Sequence, residues 1–357
     1  MNINQEGFDR RLVVVQEILD QFSLKNDVAA QHIARKSIQS KALDAVIPAV
    51  YAWSPCRYPE VPGEKGFGWT ISEFKPGSDL DAQFDSLPLN DAVDAVRQLA
   101  SIFTAIQSAE IPEAVTKFGA LTLDGSGAII GGQPPLLQGG PFDTYAELWA
   151  TKLRTQLSEA DKSPLLEGWA SGGLRERIEE FIDTGGVDRV LEGIDDERVL
   201  VHGDLTLNNV LYDSTTKRIT GVVDFDWSAV THPCDEYLSG LWDIGGGMSE
   251  RNEKFRPMLL SGNFTTPPEG LSEEDIRKWE IAKAWDAAIA EAGAIRPSNI
   301  VGVECIQKLK DLEDLLCPFE LANKDMLKRI SDKEKAKKKQ EMERKILRWI
   351  EVHGIVN

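Results

Sequence analysis

Two stretches constrain this chain more than any other feature: "VLVHGDLTLNNVLYD", Val199 to Asp213, and "VVDFDWS", Val222 to Ser228. Each opens on a short aliphatic run and then turns acidic. Short runs rich in β-branched residues read as strands. A carboxylate at the end of a buried strand must be solvated, paired or metal-bound. The intervening "DSTTK" reverses the chain, so a hairpin over 210–223 is expected. Such a hairpin brings Asn209 near Asp224, with Asp204 in the loop beside them and Asp226 just beyond.

Two acids and an amide that converge offer hard oxygen ligands, which suit Mg2+ better than zinc. The spacing H-x-D-x-x-x-x-N followed by an apolar residue and Asp-Phe is the layout that kinases use for phosphoryl transfer. Here it falls on His202, Asp204, Asn209, Asp224 and Phe225. In that scheme Asp204 accepts the proton of the acceptor hydroxyl, and Asn209 and Asp224 hold Mg2+ against the phosphates of ATP.

Charge narrows the partners. The formal net charge is -18 over 357 residues, which argues against nucleic acid or an anionic membrane as the main partner. Cys56, Cys234, Cys305 and Cys317 are scattered, with no CxxC or Cys/His cluster, so neither a zinc site nor a disulfide framework is expected. The start of the chain has no apolar signal core, and no run of 18 apolar residues occurs. The expectation is a soluble, cytoplasmic protein.

Upstream, "RLVVVQEI" (Arg11 to Ile18) reads as a strand and the segment around Asp27 to Lys36 as helix. "AVIPAVYAW" reads as extended, broken by Pro48. "GFGWTISEF" (Gly66 to Phe74) reads as a further strand, closed by the turn "KPGSDL". Val93, Val96, Leu99, Phe103 and Ile106 recur at helical spacing, with Asn90 as the expected N-cap. A hairpin is expected at "ALTLDGSGAII", turning at Asp124-Gly125. Helices are expected over Thr144 to Leu157 and over Glu273 to Ala292, the latter with Ile276, Trp279 and Trp285 along one face. The charged tail reads as a solvated helix.

The run "VHGDLTLNNVLYD…ITGVVDFDWS…PCDEYL" resembles the aminoglycoside phosphotransferase and choline kinase-like family, in a variety common in fungi. "GFGWTISEFKPGSDL" is similar to that family's adenine-receiving strand and hinge, and "FDTYAELW" to a segment after the hinge. The resemblance covers roughly residues 10 to 245. It implies an α+β, two-lobed protein-kinase-like fold with a mostly helical C-terminal lobe. It implies Asp204 as catalytic base, Asn209 and Asp224 as magnesium ligands, and His202 as a brace of the loop. Asp226 either touches a second metal or holds the loop. Backbone atoms near Glu73 and Phe74 would meet adenine, and Asp235 would anchor the helix that follows.

The chain also departs from the family. Only about ten residues precede "RLVVVQEI", so the N-terminal lobe looks small and truncated, short of a glycine-rich turn. The position of the phosphate-gripping basic residue falls on an apolar residue or on Gln16. The usual helix Glu falls near Asp27, and Lys25 or Arg11 is the candidate substitute cation. "GEKGFG" (Gly63 to Gly68) reads as a turn only.

These readings divide the chain into an N-terminal lobe over 1–77 with a hinge near 73–78, a helical lobe over 78–320 and a charged tail over 321–357. They point to an ATP- and Mg2+-dependent kinase acting on a hydroxyl of a small acceptor, with an amine-bearing one compatible with the local acids. The competing reading is a non-catalytic kinase-like protein that binds nucleotide or ligand.

Overall fold

A computed structural model describes residues 13–18, 21–41, 43–54, 68–249 and 252–353. The chain forms two compact units, one of Met1–Pro135 and Glu197–Asn299, the other of Leu136–Asp196 and Ile300–Asn357. The lobe boundary expected at residue 77 falls within the first unit.

The first unit begins with β1 (Val13–Ile18), α1 (Gln21–Ser40), β2 (Val50–Ser54) and β3 (Gly68–Glu73). These strands make one antiparallel sheet in the order β1-β3-β2. Arg11 and most of "GEKGFG" lie outside the described residues. The "KPGSDL" turn contains a two-residue strand, β4 (Ser78–Asp79), followed by α2 (Asp81–Phe84) and α3 (Leu89–Gln107).

The N-cap of α3 is Pro88 and not Asn90. Proline fixes φ and leaves its ψ of 144° extended, so the helix starts on the next residue and draws Asn90 into its first turn. Val96, Leu99, Phe103 and Ile106 are buried along α3 as their spacing requires. The expected hairpin follows as β5 (Ala120–Leu123) and β6 (Ile129–Gly132). The Asp124 carboxylate accepts the N–H groups of Ser126 and Ala128 at its turn.

The second unit starts with α4 (Tyr145–Lys162), capped by Thr144 and Glu147 in a reciprocal capping box. It continues through α5 (Leu174–Asp183) and α6 (Gly186–Val190). The chain then returns to the first unit with β7 (Val199–Val201), β8 (Val210–Asp213), β9 (Arg218–Val222) and β10 (Ala229–Thr231). β8 and β9 form the expected hairpin, and β4 extends it to the order β4-β8-β9. β7 pairs with β10 instead.

α7 (Cys234–Ser239), α8 (Arg256–Ser261) and α9 (Glu273–Ala292) complete the first unit. α9 packs along α3, where Phe103 meets Trp285 at 5.4 Å and Tyr237 at 5.7 Å between ring centroids. Trp279 and Trp285 are buried, but Ile276 is 50% exposed. It lies in the first turn of α9, one turn short of where the buried stripe begins at Trp279.

The second unit ends with α10 (Val303–Leu316), α11 (Phe319–Ala322), α12 (Lys324–Leu327) and α13 (Asp332–His353). The tail is not wholly solvated. Ile346, Trp349 and Ile350 are buried, with Trp349 edge-on to Phe181 at 5.1 Å and its Nε1 donating to the Lys308 carbonyl at 2.9 Å. Three apolar side chains among many charges were enough to dock its last turns. Among the described residues, no helix is long and apolar enough to cross a membrane.

Candidate functional site

The loop from His202 to Asn209 follows β7, and the "DFD" segment follows β9. The hairpin register pairs Val210 with Val222, so the residues just outside it, Asn209 and Asp224, leave the ladder side by side. Val223 N–H donates to the Asn209 carbonyl at 3.0 Å and fixes that junction. The Asn209 amide donates to the Asp204 carbonyl at 2.8 Å and to its carboxylate Oδ2 at 3.0 Å. The sequence therefore brings Asp204, Asn209 and Asp224 together.

Asp204 is half-buried, and burial raises its carboxyl above the usual range; Asn209 opposes this and the charge of Asp224 adds to it. Asp224 is exposed and sits at φ 68°. A left-handed backbone is uncommon for a residue other than glycine and costs on the order of 1–3 kcal/mol. It breaks the extended path of the chain as it leaves β9.

His202 is fully buried against Phe225, with ring centroids 4.4 Å apart. Its Nδ1 accepts the Asp204 N–H at 3.3 Å, so the proton resides on Nε2, which donates to the Val223 carbonyl at 3.0 Å. Burial pushes its pKa down to about 4, so the ring is neutral at pH 7. One imidazole thus ties the loop of Asp204 to the segment of Asp224.

Gly203 stands at φ 85°, and a Cβ there would lie 2.3 Å from the Trp227 carbonyl oxygen. Only glycine fits between the two acidic segments at this point.

Three further residues hold the site in place, of which the sequence reading singled out Asp235 alone, as a helix anchor. Glu236 is fully buried, and its carboxylate accepts the N–H groups of His202 at 2.6 Å, Gly203 at 3.3 Å and Leu205 at 3.3 Å. Burial raises its pKa to about 7, against the pull of those three N–H groups. Asp235, its neighbour, accepts the Thr231 hydroxyl at 2.6 Å at the start of α7. Asn26, buried in α1, donates to the carbonyls of Asp226 at 2.9 Å and Ser228 at 2.7 Å and accepts the Leu121 N–H at 2.7 Å.

Asp243 completes this set by accepting the Leu207 N–H within the same loop. Burial raises its pKa to about 6. The only sequence signal for Glu236 and Asp243 was the density of acids after the "DFD" segment. Nothing local marked Asn26.

Asp27, expected near the place of the family's helix Glu, lies in α1. Its carboxylate accepts the Phe225 N–H at 3.0 Å and the Gln31 amide at 2.7 Å. Burial raises its pKa to about 6. Lys25 forms no ion pair among the described residues. On the nucleotide side, Glu73 ends β3 with its carboxylate bound by Arg35 at 3.1 Å, Lys75 at 3.0 Å and the Ala49 N–H at 3.1 Å. The Glu73 side chain is thus structural, and Phe74 lies beyond the strand with its ring 40% exposed.

The donor set suits a nucleotide-bound Mg2+. Nothing among the described residues donates to Asn209 Oδ1 or to the Asp224 carboxylate, so both oxygens remain available. No group of three or more His, Cys, Asp or Glu side chains that could hold a metal occurs among the described residues.

A family profile described as "Phosphotransferase enzyme family" matches residues 11–271. No curated protein matches the chain. Among solved structures, the streptomycin–ATP complex of APH(2'')-IIa is 14% identical, covers 93% of this chain and 86% of its own, and has a TM-score of 0.46. ADP-bound APH(2'')-Ib is 17% identical over 94% of this chain and 86% of its own, with a TM-score of 0.46. The amicoumacin kinase hAmiN, in complex with AMP-PNP, Ca2+ and Ami, is 12% identical over 94% of this chain and 81% of its own, with a TM-score of 0.47. With all three scores below 0.5, the assignment rests on the family match and on the loop geometry.

Proposed function

The chain belongs to the phosphotransferase enzyme family, and from that premise we propose that it transfers the γ-phosphoryl group of ATP to a hydroxyl of a small, amine-bearing acceptor. The observation that carries this reading is the convergence of Asp204 with Asn209 and Asp224 at the end of one hairpin.

In the proposed reaction the acceptor oxygen attacks the γ-phosphorus while the bond from that phosphorus to the β,γ-bridging oxygen breaks, and ADP leaves. Asp204 takes the proton of the acceptor hydroxyl; its raised pKa makes it a better base than an exposed aspartate. Asn209 Oδ1 and Asp224 would hold Mg2+, which when bound neutralises phosphate charge. His202 and Glu236 keep the two segments in register, which matters because catalysis of this kind is mostly positioning and electrostatics. Backbone atoms around Phe74 would receive adenine. Asp226, whose main chain is held by Asn26, would hold the loop.

The acceptor class is supported by a cleft of about 470 Å3 in the first unit, walled by Phe84, Leu207 and Trp242 and by Asp81, Asp85 and Asp243. Leu207 lies three residues from Asp204 on the same loop. These three carboxylates have no ion-pair partner among the described residues, whereas Glu274 at the same cleft is paired with Lys278. Arg277 also lines the cleft, with its guanidinium turned to the Phe84 carbonyl at 3.0 Å, and an ammonium group would offset the charge that remains. Placement in a fungal-type subfamily and in the cytoplasm rests on the sequence resemblance and composition alone.

The test is ATP turnover with Mg2+ over a panel of amino alcohols and aminosugars, with the product read by phosphorus NMR. A new phosphomonoester resonance supports the reading. Nucleotide binding with no phosphomonoester from any acceptor would overturn it in favour of a non-catalytic nucleotide-binding protein. One observation favours that second reading: among the described residues, Asp27 is engaged by the Phe225 N–H and the Gln31 amide and not by a lysine.

A further inference from the structure

We propose that α13 carries a docking surface for an acidic peptide segment of a partner protein. The surface is a line of cations along its solvent face: Lys333, Lys337, Arg344 and Arg348, with Gln340 between them. At 100° per residue these positions fall within about 80° of arc and run about 22 Å along the helix. All five are exposed. Ile346, Trp349 and Ile350, on the opposite side, are buried.

What sets this line apart is the pairing of the other cations. Lys335 is bound to Asp332 at 2.8 Å, Lys339 to Glu167 at 3.3 Å and Lys345 to Glu341 at 3.3 Å, and Lys338 to Glu320. Each of the other lysines of α13 has a carboxylate. None of the four on the outward line has one among the described residues; Arg344 reaches only the Gln340 carbonyl. Lys333 and Lys337 form a like-charge i,i+4 pair, as do Arg344 and Arg348. Such pairs weaken a helix by about 0.2–0.5 kcal/mol each. The chain bears that cost on one face while carrying a net charge of -18.

Carboxylates fit this line better than the other polyanions. A helix that lies on a membrane needs large apolar side chains exposed beside its cations. The one such residue on α13 is Val352, beyond the end of the line. Four cations would neutralise only a few phosphates of a nucleic acid, and the acidic remainder of the chain would repel the rest. An extended acidic segment brings charge in small separate groups, and the guanidinium forks of Arg344 and Arg348 match carboxylates with two parallel hydrogen bonds.

The probe is a fluorescein-labelled dodecaglutamate, titrated with the full chain by fluorescence anisotropy at about 0.15 M salt, where only charges within about 8 Å act strongly. The K333Q/K337Q/R344Q/R348Q variant replaces the line with an equally helix-compatible residue. It is expected to bind at least tenfold more weakly than the native chain. The K335Q/K338Q/K339Q/K345Q variant removes the same charge from the paired positions and is expected to bind within about twofold of native. Melting curves confirm that both variants fold. Should the first variant unfold, K333Q/K337Q and R344Q/R348Q are measured separately, each with at least a threefold loss expected. Equal losses in the two quadruple variants, or no binding by the native chain, would overturn the proposal. Tighter binding to phosphatidylserine vesicles or to oligothymidylate would overturn the occupant.

Discussion

Glu236 accepts the backbone N–H of His202 at 2.6 Å from 34 residues further along the chain. The same carboxylate holds Gly203 and Leu205, so one buried side chain sets three amides of the loop that carries Asp204. Gly240 permits this approach, since a Cβ there would lie 2.7 Å from Glu236 Oε1.

Glu236→Gln puts an amide N–H against a backbone N–H. Near pH 5, where Glu236 is protonated in the folded chain, the expected loss is about 0.5–1.5 kcal/mol, the net size of a hydrogen bond between neutral groups. The variant also changes the pH dependence. In the folded chain Glu236 holds its proton up to about 7, against 4.5 ordinarily. Between those values the folded state binds more protons than the unfolded one, so this group's contribution falls as pH rises through that window. Urea midpoints of native and variant chains should differ most near pH 5 and converge toward pH 8. A difference that stays constant with pH would show that Glu236 is ionised throughout.

Asp204→Asn preserves shape and should leave ATP affinity nearly unchanged while kcat on a confirmed acceptor drops about 10²–10⁴-fold, the usual range for general-base catalysis. The effect should appear in kcat and not in KM for ATP. An unchanged kcat would remove Asp204 from the mechanism.

Asp224→Ala should abolish Mg2+-dependent nucleotide binding, and Asp226→Ala should weaken it far less. Asp224 offers a carboxylate with no hydrogen-bond donor among the described residues, whereas the Asp226 main chain is held by Asn26. Titration calorimetry with and without Mg2+ separates the two; equal losses would reverse the assignment.

Gly203→Ala should destabilise the chain by about 1–3 kcal/mol, from backbone strain at φ 85° and collision with the Trp227 carbonyl. Because that collision separates the two acidic segments, kcat should fall even where the variant remains folded. A variant with native melting temperature and native kcat would contradict the packing.

Asn26→Ala removes three hydrogen bonds, two of them fully buried, that join α1 to the Asp226–Ser228 segment and to β5. Each orphaned buried group costs about 1–3 kcal/mol. Hydrogen exchange at Leu121 should accelerate together with loss of stability; exchange at the native rate would show that another group supplies the contact.

The sequence alone determined the local chemistry of this protein. Strand periodicity, the "DSTTK" reversal and the spacing from Asp204 to Asn209 are short-range signals, and a hairpin turns them into proximity with few alternatives. For the same reason α9 was legible to its last residue, bounded by the Ser272 capping box and by Gly293 at φ 82°. Tertiary structure decided everything that rests on contacts between distant residues. Asn26 reaches Asp226 across 200 positions and Asp27 reaches Phe225 across 198. Glu236, and not its neighbour Asp235, accepts the amides of the loop that carries Asp204. Which of two adjacent acids faces a loop depends on the rotation of a six-residue helix, and burial, not spacing, sets that rotation. The same holds for the tail, where charge composition suggested full solvation and packing of Trp349 against Phe181 decided otherwise.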